Sequence, residues 1–173
     1  MKKMDLRKHI RDIPDFPKQG ILFKDITTLL MHKQAFKHAI DQLCAKYKGK
    51  KIDKVVAVEA RGFNFGGAVA HKLGAGFIPV RKTGKLPWKT QSVTYELEYG
   101  TDTLHMHLDA IREGDRVLIV DDLLATGGTV KAVTDLIQRQ KGKIIGITFL
   151  IELGFLKGKD KLKGYPIYSL IKY

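Results

Sequence analysis

Cysteine is almost missing: one thiol, Cys44, stands in 173 residues, so neither an intrachain disulfide nor a cysteine-built metal centre is available. That usage fits a reducing compartment, and the expectation is a cytoplasmic protein. Long apolar runs are missing too. The longest, Ile144 to Ile151, is too short to span a bilayer. Met1-Lys2-Lys3 is basic, but no apolar stretch of signal-peptide length follows it. Acidic residues are scarce: 18 Asp+Glu face 31 Lys+Arg, a formal charge of +13 that raises phosphate-rich or nucleic-acid partners. The excess is spread over Lys2 to Lys24, Lys46 to Lys54, Lys82 to Lys89 and Lys157 to Lys163, so it reads equally as lysine-rich solvated faces. There is no internal repeat, low-complexity tract or linker. No Gly-Lys-Ser/Thr closes a Walker loop, and no Gly-x-Gly-x-x-Gly is present.

What is there suits one folded domain over 1–173. Hydrophobic residues make up 44% and charged residues 28%, which excludes a disordered or collagenous chain. A chain of this length buries about 70% of its unfolded surface, enough for a core without staples. Phe36, Ala39, Ile40, Leu43 and Cys44 recur at helical spacing, predicting a helix over Lys33 to Lys46. Val55 to Val58, Phe77 to Val80, Val117 to Val120 and Ile144 to Ile151 read as buried strands, with Ile167 to Ile171 as a last edge strand. Helices are expected over Arg61 to Gly74 and after Thr129, where Val130, Val133, Leu136 and Ile137 share a face. Val93 to Glu98 and Thr103 to Leu108 alternate around Gly100 as an antiparallel pair. The alternation of strands and helices predicts an α/β fold with a parallel sheet flanked by helices, and ligands beyond the strands' carboxyl ends. Lys82 to Ser92, with Gly84, Pro87 and four lysines, is either a basic surface segment or a functional lid.

The strongest chemical signal runs from Val117 to Thr129. An apolar strand meets Asp121-Asp122, and Ala125-Thr126-Gly127-Gly128-Thr129 then leads into a helix. Adjacent carboxylates can accept bonds from vicinal hydroxyls. The glycine turn exposes N–H groups, and the helix start favours an anion. A sugar phosphate matches that set; the plainer alternative is a strand-to-helix turn with Thr129 as its cap.

The Asp121 to Thr129 segment resembles the ribose-phosphate signature of type I phosphoribosyltransferases. Further matching stretches are Asp15-Phe16-Pro17 to Phe23-Lys24-Asp25-Ile26, Glu59-Ala60-Arg61-Gly62-Phe63, Arg81-Lys82 to Lys85-Leu86-Pro87, and Tyr95-Glu96-Leu97-Glu98-Tyr99-Gly100. The resemblance implies a type I core with a small hood, drawn mainly from about 1–30 and the 82–92 loop region. It implies transfer from 5-phosphoribosyl 1-pyrophosphate to adenine, assisted by Mg²⁺ held through the substrate, in a homodimer with neither membrane nor nucleic acid as partner. By the same resemblance Asp121 and Asp122 take the ribose hydroxyls and Ala125, Thr126, Gly127, Gly128 and Thr129 the 5′-phosphate. Arg61, Arg81, Lys82 and Lys85 take the pyrophosphate, with Arg61 also catalytic. Glu98 handles the proton of the base, though on pattern alone it is equally a solvent-facing strand residue. Leu22, Phe23, Lys24 and Leu153 contact adenine, Lys24 standing where the family usually has arginine. A non-proline cis bond is implied near Glu59 to Arg61. His105 occupies a position expected to be acidic. With His107 it shares one side of a strand, and surface histidines are a better expectation than a metal pair. Two alternatives stay open: a 6-oxopurine phosphoribosyltransferase, and a nucleic-acid-binding regulator on the same fold.

Overall fold

A computed structural model describes residues 4–96 and 100–173. Two compact units are present, one ending at Gln42 and the other spanning Leu43–Tyr173. In the first, Asp5 caps a short 3-10 turn, Leu6–His9, by accepting the Arg7 N–H at 3.1 Å. An antiparallel hairpin follows, β1 (Arg11–Ile13) with β2 (Phe23–Asp25), Ile13 opposite Phe23. The Asp25 carboxylate then accepts the Thr27 N–H at 2.9 Å and helps start α1 (Thr27–Met31). The helix expected over Lys33 to Lys46 is α2 (Lys33–Ala45), with Ala39, Ile40, Leu43 and Cys44 buried. It carries the chain across the boundary at Gln42.

The second unit is built on one seven-stranded sheet. Its strands are β3 (Lys54–Val58), β4 (Gly76–Lys82), β5 (Thr90–Glu96), β6 (Thr101–His107), β7 (Arg116–Leu124), β8 (Lys143–Glu152) and β9 (Ile167–Lys172). Their order is β5-β6-β4-β3-β7-β8-β9, and β4-β3-β7-β8-β9 is parallel throughout. The β5–β6 hairpin joins this core antiparallel beside β4. β3 and β7 are central, so both their faces are covered, and Val55, Val56, Ala57 and Val117 to Val120 are fully buried. Those short β-branched runs carry the strand signal.

Helix α3 (Gly62–Leu73) packs over β3, β4 and β7, and α4 (Gly128–Arg139) over β5, β6 and β8. Gly74, at φ +67°, ends α3, its N–H meeting the Ala70 and His71 carbonyls. Val130, Val133, Leu136 and Ile137 are the buried face of α4. Two boundaries differ from expectation. β7 does not stop at Val120 but runs through both aspartates to Leu124, because β8 keeps pairing with it as far as Leu124 opposite Glu152. The Lys82 to Ser92 loop is shorter, 83–89, since Thr90, Gln91 and Ser92 pair with His107, Met106 and His105. Among the described residues no helix is long and apolar enough to cross a membrane.

Candidate active site

Parallel neighbours deliver their following loops to the same edge of a sheet. Ala57 of β3 lies opposite Val120 of β7, so Glu59 to Gly62 and Asp121 to Thr129 emerge side by side. Between them lies a pocket of about 260 Å³ lined by Glu59, Ala60, Arg61, Gly62, Asp121, Asp122 and the loop from Ala125 to Gly127 with Thr129. The edge is the carboxyl end of the strands, where an open α/β sheet places its ligands.

The Glu59–Ala60 peptide is cis, at the position the resemblance implies. Gly62 is required by space: a Cβ there would stand 2.5 Å from Asp121 Oδ1, inside van der Waals contact. Gly127, at φ +80°, turns the loop into α4, taking the cap position considered for Thr129. The loop thus presents the α4 N-terminus to the pocket, with the Thr129 hydroxyl 3.4 Å from the Tyr95 hydroxyl. No basic side chain belongs to the loop itself. Lys161 comes near from outside, its Nζ 4.0 Å from where a Cβ on Gly128 would sit.

Asp121 and Asp122 are 8% and 5% exposed, which decides their electrostatics. Burial pushes the Asp121 carboxyl well above the usual carboxylate range, the neighbouring Asp122 charge adding to it. Burial also raises Asp122, opposed by the Arg61 guanidinium, whose Nε is 2.8 Å from Asp122 Oδ2. The Asp122 N–H donates to Asp121 Oδ1 at 3.0 Å, fixing that carboxylate. The pocket therefore holds two reluctantly ionised acids, one arginine and an array of neutral donors. It suits a ligand with hydroxyls at one end and a phosphate at the other.

Glu59 links this pocket to the β4 edge. Burial works against its charge, but Arg81 and the backbone of Lys82 outweigh that and hold the carboxyl below its ordinary value. Arg81 Nε donates to Glu59 Oε2 at 2.5 Å, and the Lys82 N–H to Oε1 at 3.1 Å. Arg81 Nη1 also donates to the Lys85 carbonyl at 3.1 Å. Lys82 Nζ pairs with Asp102 at 2.9 Å, which raises the lysine and lowers the acid.

The structure thus brings Arg61, Asp121, Asp122 and Ala125 to Thr129 together, and ties Arg81, Lys82 and Lys85 to their rim through Glu59. Glu98 lies outside the described residues. Leu22, Phe23 and Lys24 belong to the first unit, where Phe23 meets Phe16 edge-to-face at 5.0 Å and Lys24 pairs with Asp12 at 2.7 Å. Leu153 belongs to the second, directly after β8, its N–H bonded to the Leu124 carbonyl at 2.9 Å. Glu59, Asp102 and Lys161 were missed as site residues; Glu59 was legible as a carboxylate ending an apolar strand, the other two only through the fold. His105 and His107 are both partly buried, and the His107 Nε2 is buried with no hydrogen-bond partner. Among the described residues no three metal-ligating side chains cluster.

A parallel-sheet pocket that sets paired acids beside a glycine-threonine anion loop defines a phosphoribosyl-binding class, and residues 25–168 match the Phosphoribosyl transferase domain family. The adenine phosphoribosyltransferase of Clostridium kluyveri is 58% identical over 98% of this chain and 99% of its own length. The crystal structure of the Thermoanaerobacter pseudethanolicus adenine phosphoribosyltransferase superimposes with a TM-score of 0.94 at 55% identity, covering 97% of this chain and 98% of its own. The Saccharomyces cerevisiae adenine phosphoribosyltransferase, complexed with an imino-altritol bisphosphate and adenine, gives 0.90 at 40%, covering 95% and 96%. The chain belongs to the adenine phosphoribosyltransferase family.

Proposed function

We propose that this chain transfers the 5-phosphoribosyl group of 5-phosphoribosyl 1-pyrophosphate to adenine, giving AMP and pyrophosphate in purine salvage. The observation that carries the reading is one pocket that unites Asp121, Asp122 and Arg61 with Ala125, Thr126, Gly127 and Thr129. In the reaction the C1–O bond breaks, its electron pair leaves with pyrophosphate, and the N9 lone pair closes a new C1–N9 bond.

Asp121 and Asp122 accept the ribose hydroxyls, and their charge suits the cationic character that develops on the ring. The loop's N–H groups and the α4 N-terminus hold the 5′-phosphate. Arg61 faces the departing pyrophosphate, where its planar fork can bridge two phosphate oxygens. Arg81, Lys82 and Lys85 add charge at the rim, and a loop closing there keeps water from a reactive glycosyl centre. Glu98 takes the proton that the base sheds, and Leu22, Phe23, Lys24 and Leu153 receive adenine, both by family resemblance.

Mg²⁺ fits as a companion of the substrate rather than a resident of a protein cage. Asp122 is engaged by Arg61 and Asp121 Oδ1 by a backbone N–H, so the donor set suits a cation carried on the diphosphate. When bound there, it would supply positive charge that eases departure of the diphosphate. We further take the protein to act as a cytoplasmic homodimer with a hood from about 1–30 and 82–92; its one cysteine, buried and outside any disulfide, agrees with a reducing compartment.

The test is AMP formation with adenine, hypoxanthine and guanine in parallel, with and without Mg²⁺. Adenine-selective, Mg²⁺-dependent turnover is expected. A folded sample inert with every base would overturn the reading.

A further inference from the structure

The connection between β4 and β5 carries Lys85, and one side chain spans its neck. His105 lies on β6, opposite Arg81 of β4 on one side and Ser92 of β5 on the other. Its Nε2 is 3.1 Å from Thr83 Oγ1, and its Nδ1 is 3.1 Å from Thr90 Oγ1. Thr83 is the first residue after β4 and Thr90 the first of β5. A ring with one nitrogen on each hydroxyl therefore joins the two ends of segment 83–89.

We infer that His105 is a positioning residue that clasps this loop and sets where Lys85 is presented; the inference rests on the reading of 83–89 as the pyrophosphate loop. Hydroxyls donate or accept, so either ring tautomer satisfies both bonds. Two further ties act on the same segment: Arg81 Nη1 to the Lys85 carbonyl, and the Leu108 N–H to the Lys89 carbonyl at 3.1 Å. The choice of imidazole follows from its cross-strand neighbour. An acidic side chain at this position could also accept from both threonines, but it would stand directly across from Arg81 and compete with Glu59 for it. An imidazole competes in neither protonation state. Arg81 stays on Glu59, and the neck is closed by neutral hydroxyl contacts.

Trypsin reads the clasp without any assay of activity, because Lys85 and Lys89 lie inside the loop. His105→Ala is expected to be cut after Lys85 and Lys89 about fivefold faster than the parent, with other sites and the melting temperature little changed. Its KM for phosphoribosyl pyrophosphate should rise by a similar factor at nearly constant kcat, and His105→Gln, which keeps a donor and an acceptor, should recover most of both effects. Thr83→Val, at an exposed position, removes one contact without threatening the fold and should speed cleavage within the loop and at no other site. Unchanged cleavage in both His105→Ala and Thr83→Val, or cleavage accelerated equally along the whole chain, would overturn the clasp. Faster loop cleavage with unchanged KM supports the clasp and instead overturns the loop's role at pyrophosphate.

Discussion

Adjacent buried acids resist ionisation, and Asp121 and Asp122 meet that cost in the unliganded protein at neutral pH. Their folded pKa values are raised, so their favourable contribution to stability is complete below about pH 3.9 and is lost as the pH climbs through the raised values. Asp121→Asn keeps the carbonyl that accepts the Asp122 N–H and removes one charge. The variant should melt about 2–4 °C higher than the parent at pH 7.5, while kcat/KM for phosphoribosyl pyrophosphate falls about tenfold or more. A thermal-shift series from pH 5 to 8 should show the gap widening with pH; a gap that closes would mean that the pair is not strained by burial. Gly62→Ala attacks the same acid sterically, since the new Cβ would crowd Asp121 Oδ1. Displacing it should cost about 1–3 kcal/mol of stability, and denaturant unfolding beside the KM for phosphoribosyl pyrophosphate measures both consequences.

The phosphate loop is shaped as an element by a segment far away in the chain. Residues 154–162 form two 3-10 turns after β8, and Gly158 lies against both the Ala125 carbonyl and Gly127 so closely that no Cβ fits between them. Lys159, next to Gly158, pairs at 2.7 Å with Glu152, a buried carboxylate at the end of β8. Burial opposes that charge, but Lys159, helped by Ser169 and Lys172, outweighs it and holds Glu152 below its ordinary value. Lys159→Met leaves Glu152 buried without its ion-pair partner. Because the lysine is 38% exposed, the loss should be modest, about 1–2 kcal/mol in a urea titration, with a raised KM for phosphoribosyl pyrophosphate as the loop loses its backing. An unaltered KM would show that the 3-10 segment does not shape the loop. This coupling also marks where the sequence stopped being legible. Val55 to Val58, Val117 to Val120 and the Val130 to Ile137 face announced their elements because local periodicity reports burial directly. The acids and the glycine-threonine loop announced the site because they are contiguous. Gly158 on Gly127, Glu59 on Arg81 and His105 between two threonines are contacts made by strand order and register, which no local window contains. The extension of β7 through its aspartates was hidden for the same reason: polar residues usually end a buried strand, and here continued pairing with β8 carries it on.

For the whole molecule the outstanding quantity is charge. Thirty-one cations against eighteen acids attract a polyphosphate from every direction, and long-range attraction of this kind acts on the rate of encounter. The pocket alone cannot supply it: Asp121 and Asp122 sit inside with Arg61, and Arg81 and Lys82 are each paired with an acid. If the distributed excess steers the substrate, kcat/KM for phosphoribosyl pyrophosphate should fall with ionic strength, as the screening length contracts from about 10 Å at 0.1 M to about 3 Å at 1 M salt. Adenine is neutral and provides the internal control: its kcat/KM and the common kcat should change far less at fixed free Mg²⁺. A drop of about tenfold for the charged substrate between dilute and 0.5 M salt is the expected outcome. Equal, small salt effects on both substrates would assign the lysines to solvated faces, and the work of binding would then fall wholly on the short-range contacts of the Asp121 to Thr129 segment and the β4 rim.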